Sequence, residues 1–421
     1  MSQSLEPQSP ETLSTRQKLL CLVTAFLGWM FAGSVMVLIP LAGRAATIGM
    51  GEADEARVGQ WFSWYICAFL LGAAAGGWWF GAMGDRIGRA KAMGLSILWY
   101  SLFTGATVWV ANPMQLLMLR FVACLGVGGM WPNGVALVSE VWSDVSRPLL
   151  AGLIGTAANF GFVLFGLIAS YVAIDPAHWR WIFAAAAMPL PLGLFVLLAV
   201  PESPRWKAGK CRASPTSRSP TAEVFRPPLL RRTIIGIFLG MIPLLGNWGG
   251  ANWLVPWAGA VGGAADPFLK SHIQTIRSTG AALGSLIGGW LASFLGRRTT
   301  YFLISLMSLG SSIYLFWYLE PGMPGFLLWT FVLGFFGTVF FGWLPLYLPE
   351  LFPTRVRATG SGVTFNFGRI ATAAGVLGAG QLMLRFHGDY ARVGQLTSLI
   401  YVAGLVIVFF APDTSKHRLD D

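Results

Sequence analysis

The chain has 421 residues, of which 55% are hydrophobic and only 11% charged, and its formal net charge is +11. Soluble domains carry about 25% charged residues, so this depletion over this length excludes an ordinary soluble enzyme. The basic balance invites a nucleic-acid partner, and the placement of the basic residues argues against one.

The first 17 residues are polar, and the apolar run behind them is too long for the core of a cleavable signal. A helix needs about 20 apolar residues to cross a bilayer. Twelve such runs follow, at 18–43, 58–82, 91–111, 113–141, 148–173, 178–200, 233–261, 268–295, 299–319, 323–349, 356–385 and 390–412. They predict an all-α membrane protein of twelve transmembrane helices. Pro, Ser and basic residues crowd the stretch 201–232 at the midpoint, which reads as a linker. The expected organisation is a tail over 1–17, a six-helix bundle over 18–200, the linker, a second six-helix bundle over 233–412, and a tail over 413–421.

Self-similarity supports a duplicated unit with pseudo-twofold symmetry. Gly88-Arg89 returns as Gly296-Arg297, Glu140-x6-Arg147 as Glu350-x6-Arg357, and Asn159-Phe160-Gly161 as Asn366-Phe367-Gly368. Pro201-Glu202-Ser203 is echoed by Pro412-Asp413-Thr414, and the segment 38–43 by 254–259, all about 210 residues apart.

Segments on the termini's side hold Arg16, Lys18, Arg86, Arg89, Lys91, Arg147, the basic cluster from Arg205 to Arg232, Arg297, Arg298, Arg355 and Arg357. The opposite side holds Arg44, Arg57, Arg180, Lys270, Arg385 and Arg392. Basic residues concentrate on the cytoplasmic side of membrane proteins, so both termini are expected inside an inner membrane. The positive charge is topological. Cys21, Cys67, Cys124 and Cys211 form no disulfide framework.

The loop after the second run reads Gly81-x2-Gly84-Asp85-Arg86-x-Gly88-Arg89-x-Lys91. Its glycines permit a tight turn, and Asp85 can pair with a neighbouring arginine, so the loop reads as a conformational latch rather than a merely solvated basic loop. Its counterpart before Gly296, Arg297 and Arg298 has Ser293 in place of an aspartate, so a weaker second latch is expected. Glu140 with Arg147, Glu350 with Arg357, and Glu202 with Arg205 extend the latch at the same end. Pure loop anchoring is the plainer alternative.

With these motifs, Pro-Glu-Ser-Pro-Arg-Trp at 201–206 and Leu-Pro-Glu-Leu-Phe-Pro-Thr-Arg at 348–355 make the chain resemble the sugar-porter branch of the major facilitator superfamily. The stretches 120–142 and 178–183 are similar to the sialic-acid and aromatic-acid proton symporters within it. The resemblance covers essentially 18–415. It implies the major facilitator fold and an alternating-access carrier with an occluded site between two bundles.

Departures from that pattern matter. None of the 18 acidic residues falls at the centre of a run, and His178, His272, His387 and His417 are peripheral. Proton coupling normally uses a titrating group inside the membrane, so uniport or exchange is expected. Three arginines, Arg120, Arg277 and Arg369, do fall inside runs. A charge in a span costs about 2.5–3.5 kcal/mol on insertion scales. An anionic solute neutralises such a charge, and guanidinium forks suit carboxylates, so the anion is expected on Arg369, near the membrane midplane, with the asparagines of the seventh run. For Arg120, also matched to the family's latch arginine, capping of backbone carbonyls is the structural alternative.

Asn247, Trp248, Asn252 and Trp253 lie in a glycine-loosened stretch ahead of Pro256, where a local break is expected. With Asn133, Asn159, Asn366, Gln274, Tyr347 and Trp131 they complete the candidate solute-binding set. Tryptophans also collect in interfacial belts by default. No catalytic set, metal spacing, nucleotide loop or cofactor motif is present. The expected partners are a small organic solute and the lipid bilayer, with no nucleic acid, and the carrier is expected to be a monomer. An organic anion such as a sugar acid or aromatic carboxylate is favoured. A neutral-sugar facilitator or symporter is the main alternative, and a nutrient-sensing transceptor a minor one.

Overall fold

The computed structural model describes residues 13–142, 147–210, 220–263, 265–353 and 356–414. The outer parts of both tails, the middle of the linker with Cys211, and the side chain of Arg147 lie outside the described residues.

Twelve helical spans follow one another: α1 (Thr15–Gly49), α2 (Glu55–Ile87), α3 (Arg89–Ala106), α4 (Pro113–Val141), α5 (Arg147–Ala169) and α6 (Arg180–Ala199), then α7 (Leu229–Gly262), α8 (Leu269–Leu295), α9 (Arg297–Tyr318), α10 (Phe326–Glu350), α11 (Arg357–Arg385) and α12 (Tyr390–Phe410). Eleven of them, all but α3, are long and apolar enough to cross a membrane. Arg89 and Lys91 lower the hydropathy of α3. The linker contains two short helices, Pro204–Lys210 and Pro220–Val224.

Helix ends follow local chemistry. Ser14 and Gln17 form a capping box on α1, Asp54 caps α2, and Asn112 with Pro113 opens α4. The turns into α3 and α9 need positive φ, and Gly88 (113°) and Gly296 (86°) supply it.

Each half is tightened by a seam of glycines. Cβ atoms built on Gly72, Gly76 and Gly128 would lie 2.5, 1.9 and 2.0 Å from carbonyl oxygens across the α2–α4 contact. Gly280, Gly284, Gly288 and Gly342 do the same between α8 and α10, at 2.1 to 2.4 Å. Small residues let helix backbones approach where lipid supplies no hydrophobic drive. The halves meet through α2 against α11 and α5 against α8. The duplication makes α2 the counterpart of α8 and α5 that of α11, so the two contacts are related by one pseudo-twofold axis.

Two prolines inside spans leave carbonyls without helical donors. Pro40 frees the Met36 carbonyl, and Arg120 supplies the missing donor: Nη2 reaches Met36 O at 3.2 Å and Nη1 reaches Val35 O at 2.7 Å. Pro243 frees the Leu239 carbonyl, and the Tyr301 hydroxyl donates to it at 3.0 Å.

Candidate solute-binding site

Midway along α7 the helix loses its regular pitch. Residues Gly246–Gly250 make a wider π-type turn, and Ala251–Trp253 a tighter 3-10 turn. Glycines 246, 249 and 250 tolerate this, and turns of this kind recur at functional positions. The loosened segment faces a small cavity of about 20 Å³, room for a water or two. Asn159 and Phe162 of α5, Asn247 and Ala251 of α7, and Arg277, Ser278 and Ala281 of α8 line it. Leu333, Gly334, Gly337 and Thr338 of α10 and Tyr401 of α12 complete the wall.

Arg277 is held for use. Its Nη2 donates to Gln274 Oε1 at 3.2 Å, and Gln274 Nε2 donates to Ser278 Oγ at 2.6 Å. The other fork nitrogen, Nη1, is buried without a hydrogen-bond acceptor. The Tyr401 hydroxyl is also buried and unpartnered. Of the other lining groups, Thr338 Oγ1 bonds the Ala281 and Gly334 carbonyls, and Asn159 Nδ2 bonds Ser285 Oγ at 3.0 Å. A buried unpaired charge is expensive, and among the described lining residues this guanidinium nitrogen has no acceptor to offset it.

Arg369 lies elsewhere. It is half-buried on α11, with its guanidinium 4.8 Å from the Phe365 ring centre, and does not line the cavity. Among the described residues it has neither a hydrogen-bond acceptor nor a carboxylate partner. On α11, Gly368 packs on α7 and Asn366 approaches Gly77 of α2, 3.8 Å from a Cβ built there. At about 100° per residue, Arg369 falls between those two faces, along the seam of the halves.

Several residues expected at the solute are occupied by packing instead. Tyr347 donates to the Pro412 carbonyl at 2.6 Å and stacks on Trp343, near the chain's last helix turn. Asn133 donates to the Phe80 and Gly129 carbonyls at 2.9 Å, and Trp131 packs on Trp29. Trp253 donates to the Gly249 carbonyl and packs on Phe62. Asn252 is buried outside the cavity lining, its Nδ2 unpartnered. Trp248 sits behind the cavity against Phe69 and Phe162, and Gln274 serves Arg277 rather than the cavity. Buried amides and indoles must satisfy their own polar atoms, and in this fold the nearest partners are backbone carbonyls at proline, glycine and helix-end positions.

The expected latch residues pair within each half. Arg89 meets Asp85 at 2.6 Å and Glu140 at 3.5 Å. Glu202 caps α3, accepting from the backbone of Arg89 at 2.8 Å and from Ala90 and Ser203. Gly84 leaves room for Asn133, and Arg86 and Arg205 are exposed. In the second half Glu350 takes Arg297 through two bonds of 3.1 and 2.7 Å, not Arg357, which donates to the Phe352 carbonyl. Arg298 donates to the Ala411 carbonyl. The expectation of a weaker second latch is therefore corrected. Ser293 turns back on its own helix, and a bidentate pair with side chains 16% and 7% exposed replaces the aspartate contact. Arg120 sits away from these loops, at the Pro40 bend.

Three polar contacts between the halves lie at the end opposite the termini, and sequence reasoning missed them. Arg44 grips Glu55 at 2.7 and 2.9 Å and reaches across to the Gly259 carbonyl at 3.3 Å. The Tyr390 hydroxyl donates across to Glu55 at 2.6 Å. Lys270 donates to the Ile174 carbonyl. Next to that carbonyl, the hydrogen bond to the His178 ring holds the Asp175 carboxyl below the usual range. Nearer the termini, Asn159, Ser285 and Thr156 close α5 on α8 through bonds of 3.0 and 3.3 Å. The cavity thus lies between an ionic seal and a thin hydroxyl–amide one. Opposite charges flanking the short loop 50–54 were the available signal for the first.

The sequence profile of the Major Facilitator Superfamily matches residues 19–263. The chain belongs to this superfamily. A protein of Cupriavidus pinatubonensis named for 4-methylmuconolactone transport is 27% identical over 94% of this chain and 91% of its own length. A Bacillus subtilis protein named for niacin and nicotinamide transport is 26% identical over 94% of this chain and 96% of its own. The fold matches the xylose transporter XylE from E. coli in a partially occluded inward-open conformation, with a TM-score of 0.72 and 17% identity, covering 96% of this chain and all of that one. The superfamily member described here is a multi-pass membrane transporter of a small solute and not an enzyme.

Proposed function

We propose that this facilitator carries a small organic carboxylate by alternating access, with the carboxylate on Arg277. The observation that supports this reading is the buried Nη1 of Arg277, which has no hydrogen-bond acceptor although its residue lines the cavity. No acidic residue lies at mid-span to neutralise it, and a guanidinium fork matches a carboxylate. Arg369, free beside the seam, receives the anion once the halves part. Of the solutes named for the Bacillus subtilis relative, niacin is an organic acid and nicotinamide its neutral amide.

The unit is a monomer of two bundles, 18–200 and 233–412, joined by the linker 201–232, in an inner membrane with both tails cytoplasmic. In that orientation the ionic seal faces outward and the thin seal inward. With no carboxylate at the centre of a span, transport proceeds as uniport or exchange. The glycine loops and paired charges Asp85, Arg89 and Glu140, and Arg297 and Glu350, hold each bundle rigid at its cytoplasmic end while the bundles rock.

A thermal-shift screen of purified protein against sugars, sugar acids and aromatic acids at pH 6 and pH 8 tests the reading. Nicotinate is expected to stabilise and nicotinamide not, or another acid likewise over its amide. Stabilisation by neutral sugars alone would establish the neutral-sugar alternative.

A further inference from the structure

The cavity has a second buried polar group with nothing to bind. Tyr401 is 1% exposed and Arg277 6%, and both project to the same cavity wall. The Tyr401 ring is fixed: it stacks on Phe340 at 6.2 Å with planes 10° apart, and it occupies the space a side chain at Gly246 would need. Its hydroxyl lies 3.7 Å from a Cβ built on Gly337, so α10 leaves it in the open. Phenol hydroxyls buried in cores ordinarily find an acceptor, as Tyr100, Tyr301, Tyr347 and Tyr390 do here. Tyr401 does not.

We infer that Tyr401 is a specificity-determining contact for the substrate's acid group, donating its hydroxyl to one carboxylate oxygen while Arg277 Nη1 holds the other. This inference rests on the carboxylate reading above. It assigns each of the two buried, unpartnered donors of the lining to one end of a planar, two-oxygen acceptor. An amide presents only one acceptor and turns its NH2 toward one of these donors, so the pair selects acid over amide. A buried donor left unpaired is a strong basis for such discrimination.

Tyr401→Phe separates this role from packing. The ring, its stacking on Phe340 and its ring contact with Gly246 stay, and only a hydroxyl without a hydrogen-bond partner is lost. Titration calorimetry with nicotinate, nicotinamide, benzoate and benzamide reads the substrate preference, and the melting temperature of ligand-free protein reads the packing. The expected result is an acid affinity at least tenfold weaker in Tyr401→Phe, an acid-to-amide preference reduced by a similar factor, and a ligand-free melting temperature equal to or above that of the wild type. A melting temperature that falls would mean the hydroxyl has a structural partner, and unchanged acid affinity would mean it touches no substrate; either overturns the inference. Wild-type protein that binds neither these acids nor any acid of the thermal screen overturns the carboxylate reading itself, an outcome distinct from both.

Discussion

Replacing Tyr390 by Phe removes one hydrogen bond between the halves and leaves the ring, which is 4% exposed and packs 5.9 Å from Trp253. The bond lost is a hydroxyl donating to a carboxylate at 2.6 Å, the short, charge-assisted kind. Hydrogen bonds to charged groups contribute about 1.5–3 kcal/mol. The Glu55 side chain is 32% exposed, so water recovers part of that when the seal opens, and about 1–2 kcal/mol remains as the bias toward closure. The equilibrium between the closed and open far end should therefore move about 5–30-fold toward open. Ser63 provides the reporter. It is fully buried two turns below Glu55, its hydroxyl has no partner, and it packs on Gly380 in the α2–α11 seam. Cysteine at Ser63, labelled by a membrane-impermeant maleimide added from the side opposite the termini, should react about 5–30 times faster in the Tyr390→Phe background. Equal labelling rates would refute the assignment of Arg44, Glu55 and Tyr390 as the seal.

Three further outcomes follow from single contacts. Gly334→Ala would bring a Cβ within 2.2 Å of the Arg277 carbonyl; overpacking of this kind costs about 1–3 kcal/mol, so both melting temperature and acid binding should fall. Arg120→Ala leaves the Met36 carbonyl, which Pro40 deprives of its helical donor, unsatisfied at about 1–3 kcal/mol and removes a second bond to the Val35 carbonyl, so detergent melting should drop by more than for Arg369→Ala, which loses no hydrogen bond. Glu350→Gln should destabilise the protein more than Asp85→Asn, since its bidentate pair is the more buried; comparison of the two melting curves decides it.

The membrane fold was readable because bilayer crossing demands long apolar runs, and the duplication because matching residues at one offset are improbable otherwise. Arg277 was readable as a charge where none is cheap. Its role relative to Arg369 was not, because both arginines carry the same sequence signal and only packing tells which one α5 and α12 cover. Tyr401 was hidden in the apolar segment Ser-Leu-Ile-Tyr-Val-Ala-Gly, where a tyrosine reads as core. What distinguishes it is the absence of a partner, and that depends on Gly246 and Gly337 far away in the chain. Tyr347 and Asn133 misled for the converse reason: polar residues in spans promise a site, yet their partners are carbonyls that no sequence pattern exposes. Arg44 counted only toward topology and Glu55 only as one of 18 acidic residues away from the span centres, since contacts to Tyr390 and Gly259 lie far along the chain.

Exchange of labelled nicotinate, or of whichever acid the thermal screen selects, in proteoliposomes bearing wild-type, Arg277→Gln or Arg369→Gln protein tests the grip of Arg277 most directly. Wild-type exchange should be saturable and insensitive to a pH gradient. Arg277→Gln should weaken apparent affinity by about two orders of magnitude, the cost of about 3 kcal/mol for a charge-assisted contact, with a milder loss for Arg369→Gln. Exchange by Arg277→Gln at wild-type affinity would contradict the account.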